Sequence, residues 1–113
     1  MKYSTAKAYC RSKAMVLASI KNEAENQFFT ENTGNDWYYL GGERDVVNPT
    51  MWRWISEDQP WMAKNGSAYT NWNYNKPSYQ STGLQDCITI YKGRWNDDPC
   101  NLRGYFVCKN GKL

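Results

Sequence analysis

Residues 86–108 read DCITIYKGRWNDDPCNLRGYFVC, and this stretch holds three of the four cysteines of the chain, Cys87, Cys100 and Cys108. The fourth, Cys10, lies near the start of the sequence. No C-x-x-C spacing and no histidine accompany them, which argues against a zinc site or a thioredoxin-like redox site. An even number of cysteines in a small domain predicts two disulfides formed in an oxidising compartment. Spacing alone leaves three connectivities open, and four buried free thiols are the alternative.

The composition around this stretch is poor in aliphatic residues and rich in aromatic ones. Leu, Ile, Val and Phe together make about 14% of the 113 residues, whereas Phe, Trp and Tyr make 16%. The aliphatic share lies below the roughly 20% at which disorder becomes a serious interpretation. Disorder also requires a high net charge and few aromatic residues, and neither holds for a chain of net charge +3. We therefore expect a single domain, residues 1–113, folded around an aromatic core.

The absence of histidine removes several classes of function. It excludes Ser-His-Asp and Cys-His nucleophiles, a histidine general base and histidine-ligated zinc, so we do not expect an enzyme. A net charge of +3, without a run of five basic residues, does not indicate nucleic-acid binding. The longest apolar run, 14–18, is far shorter than the ~20 residues of a membrane span. No signal peptide is visible after Met1, although the chain could be the mature part of a secreted protein.

The first third of the chain is predicted to be mainly helical. Residues 6–14 are rich in helix formers, with Ser4 or Thr5 as the N-cap. Residues 16–20 form a short apolar run that is typical of a buried strand, and a second helix is predicted over 22–31. In that helix Ala24 and Phe28 are four residues apart, which indicates an apolar stripe through Phe28.

After Gly34 the pattern changes to short strand-like segments separated by turns, at 37–40, 51–55, 87–91 and 105–108. Between them, residues 56–85 show no periodicity. An irregular segment of this length inside a compact domain is either a wrong assignment or a functional loop. The order of helices followed by strands predicts an α+β fold.

Several separated motifs, in this order, resemble those of the C-type lectin-like domain, and the resemblance covers nearly the whole chain. Trp37-Tyr38-Tyr39-Leu40-Gly41-Gly42 is similar to the WIGL signature of the family, with Tyr38-Tyr39 in place of the usual pair. The remaining matches are Ala8-Tyr9-Cys10 with 15–20 after it, Glu23, Glu25 and Phe28-Phe29 of the second helix, Met51-Trp52-Arg53-Trp54, Asn71-Trp72, Asp86-Cys87, Gly93-Arg94-Trp95-Asn96-Asp97 with Cys100, and Tyr105-Phe106-Val107-Cys108.

The resemblance implies a C-type lectin fold with two helices, antiparallel sheets and a long-loop region. It implies the disulfides Cys10–Cys108 and Cys87–Cys100. It also interprets residues 56–85 as the long loop that carries ligand binding. Trp52 and Trp54 are then expected to pack beneath that loop rather than to touch a ligand.

In sugar-binding members, a calcium ion at the tip of the long loop is held by two polar residues flanking a cis proline, by a following glutamate, and by the Asn and Asp of a W-N-D motif. Here the proline is Pro77, flanked by Lys76 and Ser78, and the glutamate position holds Gln85. Asn96 and Asp97 are intact. Calcium is a hard cation that needs several oxygen ligands, whereas a lysine ammonium has no lone pair to offer. We therefore expect neither calcium at this site nor any other cofactor.

The predicted function is recognition of amino sugars such as GlcNAc or GalNAc without calcium, and K-P-S motifs of this kind resemble those of some calcium-independent bivalve lectins. In this hypothesis Lys76 pairs with Asp97 and donates hydrogen bonds to the sugar, since charge-assisted bonds are strong. Tyr79, Tyr74 or Trp95 would stack on the apolar face of the sugar. The predicted site residues are Lys76, Pro77, Ser78, Tyr79, Gln85, Asn96 and Asp97.

Several alternatives remain open. The domain could have lost sugar binding and instead bind a protein partner or serve a structural role. Glu57 and Asp58, with Asp86, could hold an auxiliary calcium, and Asn65 begins a glycosylation sequon that is equally a turn signal. The Asp97-Asp98 pair has the composition of a glycosidase dyad but no supporting pocket of carboxylates. Because a single monosaccharide site binds weakly, we also expect a homo-oligomer, such as a dimer. We expect the protein to be secreted and extracellular, and to contact neither nucleic acid nor membrane.

Overall fold

The computed structural model describes residues 1–47, 51–56, 61–62, 68–78 and 86–110. Within these residues two helices lie against two β-sheets, and both predicted disulfides are formed, Cys10–Cys108 and Cys87–Cys100. The α+β fold is confirmed. No helix in the described ranges is both long and apolar enough to cross a membrane.

Helix α1 (Tyr3–Ser12) begins earlier than predicted. Its N-cap is Lys2, which makes no side-chain capping bond, so the prediction of Ser4 or Thr5 as the cap is wrong. The reason is the burial of Tyr3, which is 2% exposed and donates a hydrogen bond of 2.6 Å from its hydroxyl to Glu43 Oε2. Burying an aromatic ring is worth more than the ~1 kcal/mol of a good cap. Burial also raises the pKa of the Tyr3 phenol far above its ordinary value, with the Glu43 carboxylate adding to the effect.

Helix α2 (Glu23–Asn32) starts after Asn22, whose side chain accepts a 2.9 Å hydrogen bond from the Glu25 amide. Ala24 and Phe28 do lie on one apolar surface, as predicted. It is not the buried face of the helix, because Phe28 is 66% exposed while Asn26 and Phe29 are buried. The Asn26 side chain donates to the Gly93 carbonyl and accepts from the indole of Trp95, each at 2.9 Å. These two buried bonds set the rotation of the helix and turn Phe28 outward.

The smaller sheet pairs β1 (Val16–Leu17) with β8 (Cys108–Lys109) and lies beside the Cys10–Cys108 disulfide. Both strands are shorter than predicted. After Leu17 the chain stays buried through residue 20 without forming a longer strand. The segment predicted as one strand at 105–108 is split in two. Its first part, β7 (Tyr105–Phe106), pairs in parallel with a strand of the larger sheet, whereas the carbonyl of Val107 accepts a hydrogen bond from the Ala18 amide at 2.9 Å.

Besides β7, the larger sheet contains β2 (Trp37–Arg44), β3 (Met51–Trp54), β4 (Trp61–Met62), β5 (Asp86–Tyr91) and β6 (Arg94–Pro99). Within the described residues these six strands form one sheet, with the order β4-β3-β2-β5-β6 and with β7 pairing to β2.

The strand β6 was not predicted, since Asn, Asp and Pro are depleted in strands. A two-residue turn explains it, because Lys92 (φ 51°) and Gly93 (φ 82°) both adopt the left-handed conformation that tight antiparallel hairpins require. A side chain at position 93 would also collide with Thr30, whose Oγ1 lies 2.6 Å from the place of a Cβ.

Tryptophan rings form the centre of the core. Trp52 and Trp95 are fully buried and Trp54 is 3% exposed, as expected for rings that pack rather than bind ligand. The Trp54 and Trp95 rings meet edge to face at 5.5 Å, and Trp52 contacts Trp72 at 5.3 Å. The aromatic core expected from the composition is therefore present, and it extends directly to Trp72 in the long-loop region.

Candidate functional site

The described part of the long loop, residues 68–78, is attached to β6 through Trp95. The Asn73 amide donates to the Trp95 carbonyl at 2.8 Å, and the Trp95 amide donates to the Asn71 carbonyl at 2.9 Å. At the start of this segment the Tyr69 hydroxyl donates to Glu23 Oε2 at 2.8 Å. Burial, aided by Glu23, raises the pKa of Tyr69 from 10.0 to about 12, so the phenol also keeps this hydrogen bond in the alkaline range between those two values.

Five of the predicted site residues come together where this segment meets β6. We call Lys76, Pro77, Ser78, Asn96 and Asp97 the lysine cluster. The Lys76–Pro77 peptide bond is cis, as the resemblance implied. The Ser78 amide donates to Asp97 Oδ1 at 2.8 Å, and the Ser78 hydroxyl lies 3.1 and 3.3 Å from the two carboxylate oxygens.

The ammonium of Lys76 completes the cluster. Its Nζ lies 4.0 Å from Asp97 Oδ1 and donates to the Ser78 hydroxyl at 3.4 Å. The Asp97 side chain is 1% exposed, whereas that of Lys76 is 30% exposed. The positive charge is therefore presented to solvent while the negative charge lies beneath it, and Asn96 accepts a 3.3 Å hydrogen bond from Asn73 at the edge.

The remaining predictions concern residues outside the described ranges and the rings that were expected to stack on a sugar. Tyr79 and Gln85 lie outside the described residues, as do Glu57, Asp58 and the sequon asparagine Asn65. Among the predicted stacking rings, Tyr74 is 87% exposed and precedes Lys76 by two residues in the sequence. Trp95 is fully buried and cannot stack on a ligand, so that part of the prediction is wrong.

Neighbouring carboxylates are engaged elsewhere. Asp98 accepts a 2.6 Å hydrogen bond from Thr89 on the opposite face of β6 from Asp97, so the two do not form a dyad. Buried Asp86 forms a 2.8 Å ion pair with Arg44. Across the described ranges no group of three or more His, Cys, Asp or Glu residues could hold a metal ion.

The structure also shows a groove that sequence reasoning missed. It has a volume of about 390 Å³ and lies at the end of the larger sheet where Trp37 pairs with Tyr91, and we call it the outer groove. Two cluster residues, Lys76 and Asn96, line its edge. In the structure Trp95 and Asp97 of β6 are buried and Asn96 between them is less so, but no signal in the sequence pointed to this groove, because β6 itself was not predicted. The remaining lining residues are Trp37, Thr89, Tyr91, Asp98 and Leu102.

A larger groove of about 510 Å³ lies between α2 and β8 and is almost entirely apolar. Phe28 and Val107 contribute to its wall, and none of the predicted site residues lies in it. Sugar recognition needs placed polar groups, so this groove does not fit the predicted ligand.

Comparison with known proteins gives consistent matches. A family model described as the Lectin C-type domain matches residues 1–110. The chain is 34% identical over 115 residues to the versican core protein of Bos taurus, covering 98% of this chain and 3% of that protein. It is 30% identical over 110 residues to Collectin-10 of Homo sapiens, covering 95% of this chain and 37% of that protein. The chain thus spans a small part of the length of the curated relatives it matches.

Among solved structures, the mouse scavenger receptor C-type lectin carbohydrate-recognition domain aligns with a TM-score of 0.77 at 27% identity. That alignment covers 95% of this chain and 78% of the other. The similarity therefore extends over both sheets and both helices.

Proposed function

Because the chain belongs to the C-type lectin domain family, we propose that it binds N-acetylhexosamine sugars through the lysine cluster without calcium. Members of this family bind glycans in general and are not enzymes, so the chain is a binding domain. The sugar class, the independence from calcium and the residues involved are the proposal. The observation that carries it is the position of Lys76, whose ammonium lies 4.0 Å from Asp97 Oδ1.

The donor set at the cluster argues against calcium. Calcium takes about 6–8 oxygen ligands, carboxylates foremost. The described residues of the cluster supply one carboxylate, Asp97, and Ser78 already donates two hydrogen bonds to it. A divalent cation there would also be repelled by the Lys76 ammonium. These residues do not fit the metal, and no part of the proposed recognition passes through it.

The same geometry suits a neutral polyhydroxy ligand. Lys76 is held near Asp97 and Ser78, which limits its freedom before the ligand arrives, and part of its side chain stays exposed. An ammonium donating to a sugar hydroxyl or to an acetamido carbonyl makes a charge-assisted hydrogen bond. The exposed ring of Tyr74 is a candidate wall for the acetamido methyl group.

We propose further that the protein is secreted and acts as a homo-oligomer. Two disulfides, with no free cysteine among the described residues, suit an oxidising extracellular compartment. Several weak monosaccharide sites on one assembly would raise avidity without any new contact. Sedimentation of the purified protein measures this state directly, and a monomer at all concentrations would contradict the oligomer.

The first test is a glycan array probed with and without EDTA. We expect binding to glycans with terminal GlcNAc or GalNAc that is equal in the two conditions, because the cluster has no calcium to lose. The melting temperature should also be unchanged by added CaCl₂, since a bound ion would stabilise the folded state. Binding abolished by EDTA contradicts the calcium-independent site. The absence of any glycan binding would favour the alternative, a domain that binds a protein partner.

Replacement of Lys76 by alanine should weaken sugar binding by about 10- to 100-fold, the range that corresponds to the ~1.5–3 kcal/mol of a charged hydrogen bond. The free energy of unfolding should change by less than about 1 kcal/mol, because the 4.0 Å ion pair is long, Lys76 is partly exposed, and Asp97 keeps its hydrogen bonds from Ser78. Isothermal titration with GlcNAc and chemical denaturation measure the two quantities.

The matched control is Lys2→Ala, which removes an exposed lysine that makes no capping bond on α1. This variant should leave both the sugar affinity and the stability at wild-type values. Equal affinities for Lys76→Ala and Lys2→Ala would remove Lys76 from the site.

A further inference from the structure

We propose that the outer groove is a second saccharide subsite, so that the ligand of this domain is an oligosaccharide of at least two units. This inference rests on the proposed function, because it places the first unit at the lysine cluster. It adds a surface formed by three strands, in which Trp37 and Tyr91 supply aromatic rings and Asn96 and Asp98 supply polar groups.

The sheet places these groups side by side. Trp37 of β2 is directly opposite Tyr91 of β5, and Thr89 is directly opposite Asn96 of β6. Directly paired residues in antiparallel strands project from the same face of the sheet. Neighbouring strands are about 4.8 Å apart, so the surface spans about 10 Å from Asn96 across β5 to Trp37. An aromatic end and a polar end therefore share one continuous surface.

The aromatic end is held in place before a ligand arrives. The Trp37 ring lies against Gly104, where an added Cβ would be 2.3 Å from the ring. It also meets the Tyr39 ring edge to face at 5.2 Å. Tyr39 is fixed in turn, because its hydroxyl donates to the Leu102 carbonyl at 2.6 Å and burial raises its pKa to about 12. A rigid ring loses little entropy when it binds, which favours stacking on the apolar face of a sugar.

The polar end offers groups that pair with sugar hydroxyls. Asp98 uses one carboxylate oxygen, Oδ2, to accept the Thr89 hydroxyl at 2.6 Å. Its other oxygen makes no hydrogen bond within the described ranges. The amide of Asn96 accepts with its oxygen from Asn73, which leaves its NH₂ group as a donor. Carboxylate acceptors and amide donors on one surface match the mixed donor and acceptor character of a pyranose.

The groove is continuous with the lysine cluster, since Lys76 and Asn96 belong to both. A sugar unit held at Lys76 therefore has its neighbour in the chain next to the groove. The volume of about 390 Å³ lies at the lower end of the ~300–1,000 Å³ of small-molecule sites. That size suits one further unit in addition to the one at the cluster.

The test compares GlcNAc with its β1,4-linked dimer and trimer by isothermal titration. We expect the dimer to bind about tenfold more tightly than GlcNAc, as aromatic stacking and added hydrogen bonds would give. In Tyr91→Ala that gain should disappear while the affinity for GlcNAc itself stays at the wild-type value. The matched control is Tyr9→Ala on α1, since Tyr9 is 43% exposed and Tyr91 is 41% exposed.

The outcomes are distinguishable. Equal affinities of the wild-type protein for GlcNAc and the dimer would overturn the second subsite and leave the proposed function intact. An equal loss for both ligands in Tyr91→Ala would overturn it in the same way. If none of these sugars binds, the second subsite fails, and the proposed function fails with it if GalNAc does not bind either. Retention of the tenfold gain in Tyr9→Ala, together with its loss in Tyr91→Ala, supports the subsite.

Discussion

The double variant Cys10→Ala/Cys108→Ala is expected to lose about 4–5 kcal/mol of unfolding free energy, enough to unfold most of the protein at body temperature. The bridge joins residues 98 positions apart, which is nearly the whole chain. In the chain-entropy model, the conformational entropy that the denatured state gains on loss of a cross-link increases with the length of the loop that it closes, and this loop is the longer of the two.

The measurement is guanidinium denaturation followed by tryptophan fluorescence. The internal comparison is Cys87→Ala/Cys100→Ala, whose bridge spans 13 positions and should cost about 3 kcal/mol. Cys10 and Cys87 are both fully buried, so replacement by alanine changes the buried side-chain surface by a similar amount at those two positions. A short bridge that costs as much as the long one would contradict the assignment of this stability to loop length.

Replacement of Trp95 by alanine is expected to cost about 3–5 kcal/mol, the range for removing a large buried aromatic side chain. Trp95 is fully buried and its ring contacts those of Trp54, Tyr69 and Trp72 at 5.5–5.9 Å. Its indole also donates to buried Asn26, which would be left without this donor.

Trp95→Phe separates the two contributions, since it keeps much of the ring volume and removes the indole N–H. We expect a smaller cost of about 1–3 kcal/mol, the penalty of an unsatisfied buried acceptor. A double-mutant cycle with Asn26→Ala measures the coupling directly. The control is Tyr74→Ala, which removes an 87% exposed ring from the same region and should change stability by less than about 0.5 kcal/mol. Additive effects of Trp95→Phe and Asn26→Ala would show that the hydrogen bond has no stabilising role.

Much of the fold could be predicted from short motifs, each of which consists of residues that are close in sequence. The disulfide pairs followed from the family resemblance, and both helices are present within a few residues of their predicted positions. Local propensity failed where tertiary contacts act more strongly. Strand β6 contains poor strand formers and is stabilised by the Lys92-Gly93 turn, and α2 turns Phe28 outward because Asn26 bonds to Gly93 and Trp95.

The candidate site, too, was only partly predictable from the sequence. The proximity of Lys76, Ser78 and Asp97 was predictable, because the family motif relates those positions across the loop. The outer groove was not, since Trp37 and Thr89 approach Lys76 only through the order of strands in the sheet. Trp95 was one of three rings named for stacking, and its complete burial excludes it, because the sequence does not show in which direction a ring on a strand points.

The first residues of the chain contact its C-terminal part, and a disulfide joins the two. The Met1 ammonium donates to the Gly104 carbonyl and the Gly104 amide donates to the Met1 carbonyl, each at 2.9 Å, while Cys10 is bonded to Cys108. Tension applied before Cys10 and after Cys108 is therefore carried across a covalent bond and does not stretch the segment between them. The lysine cluster lies inside that segment, so it keeps its geometry under a mechanical load that would unravel a domain without this bridge.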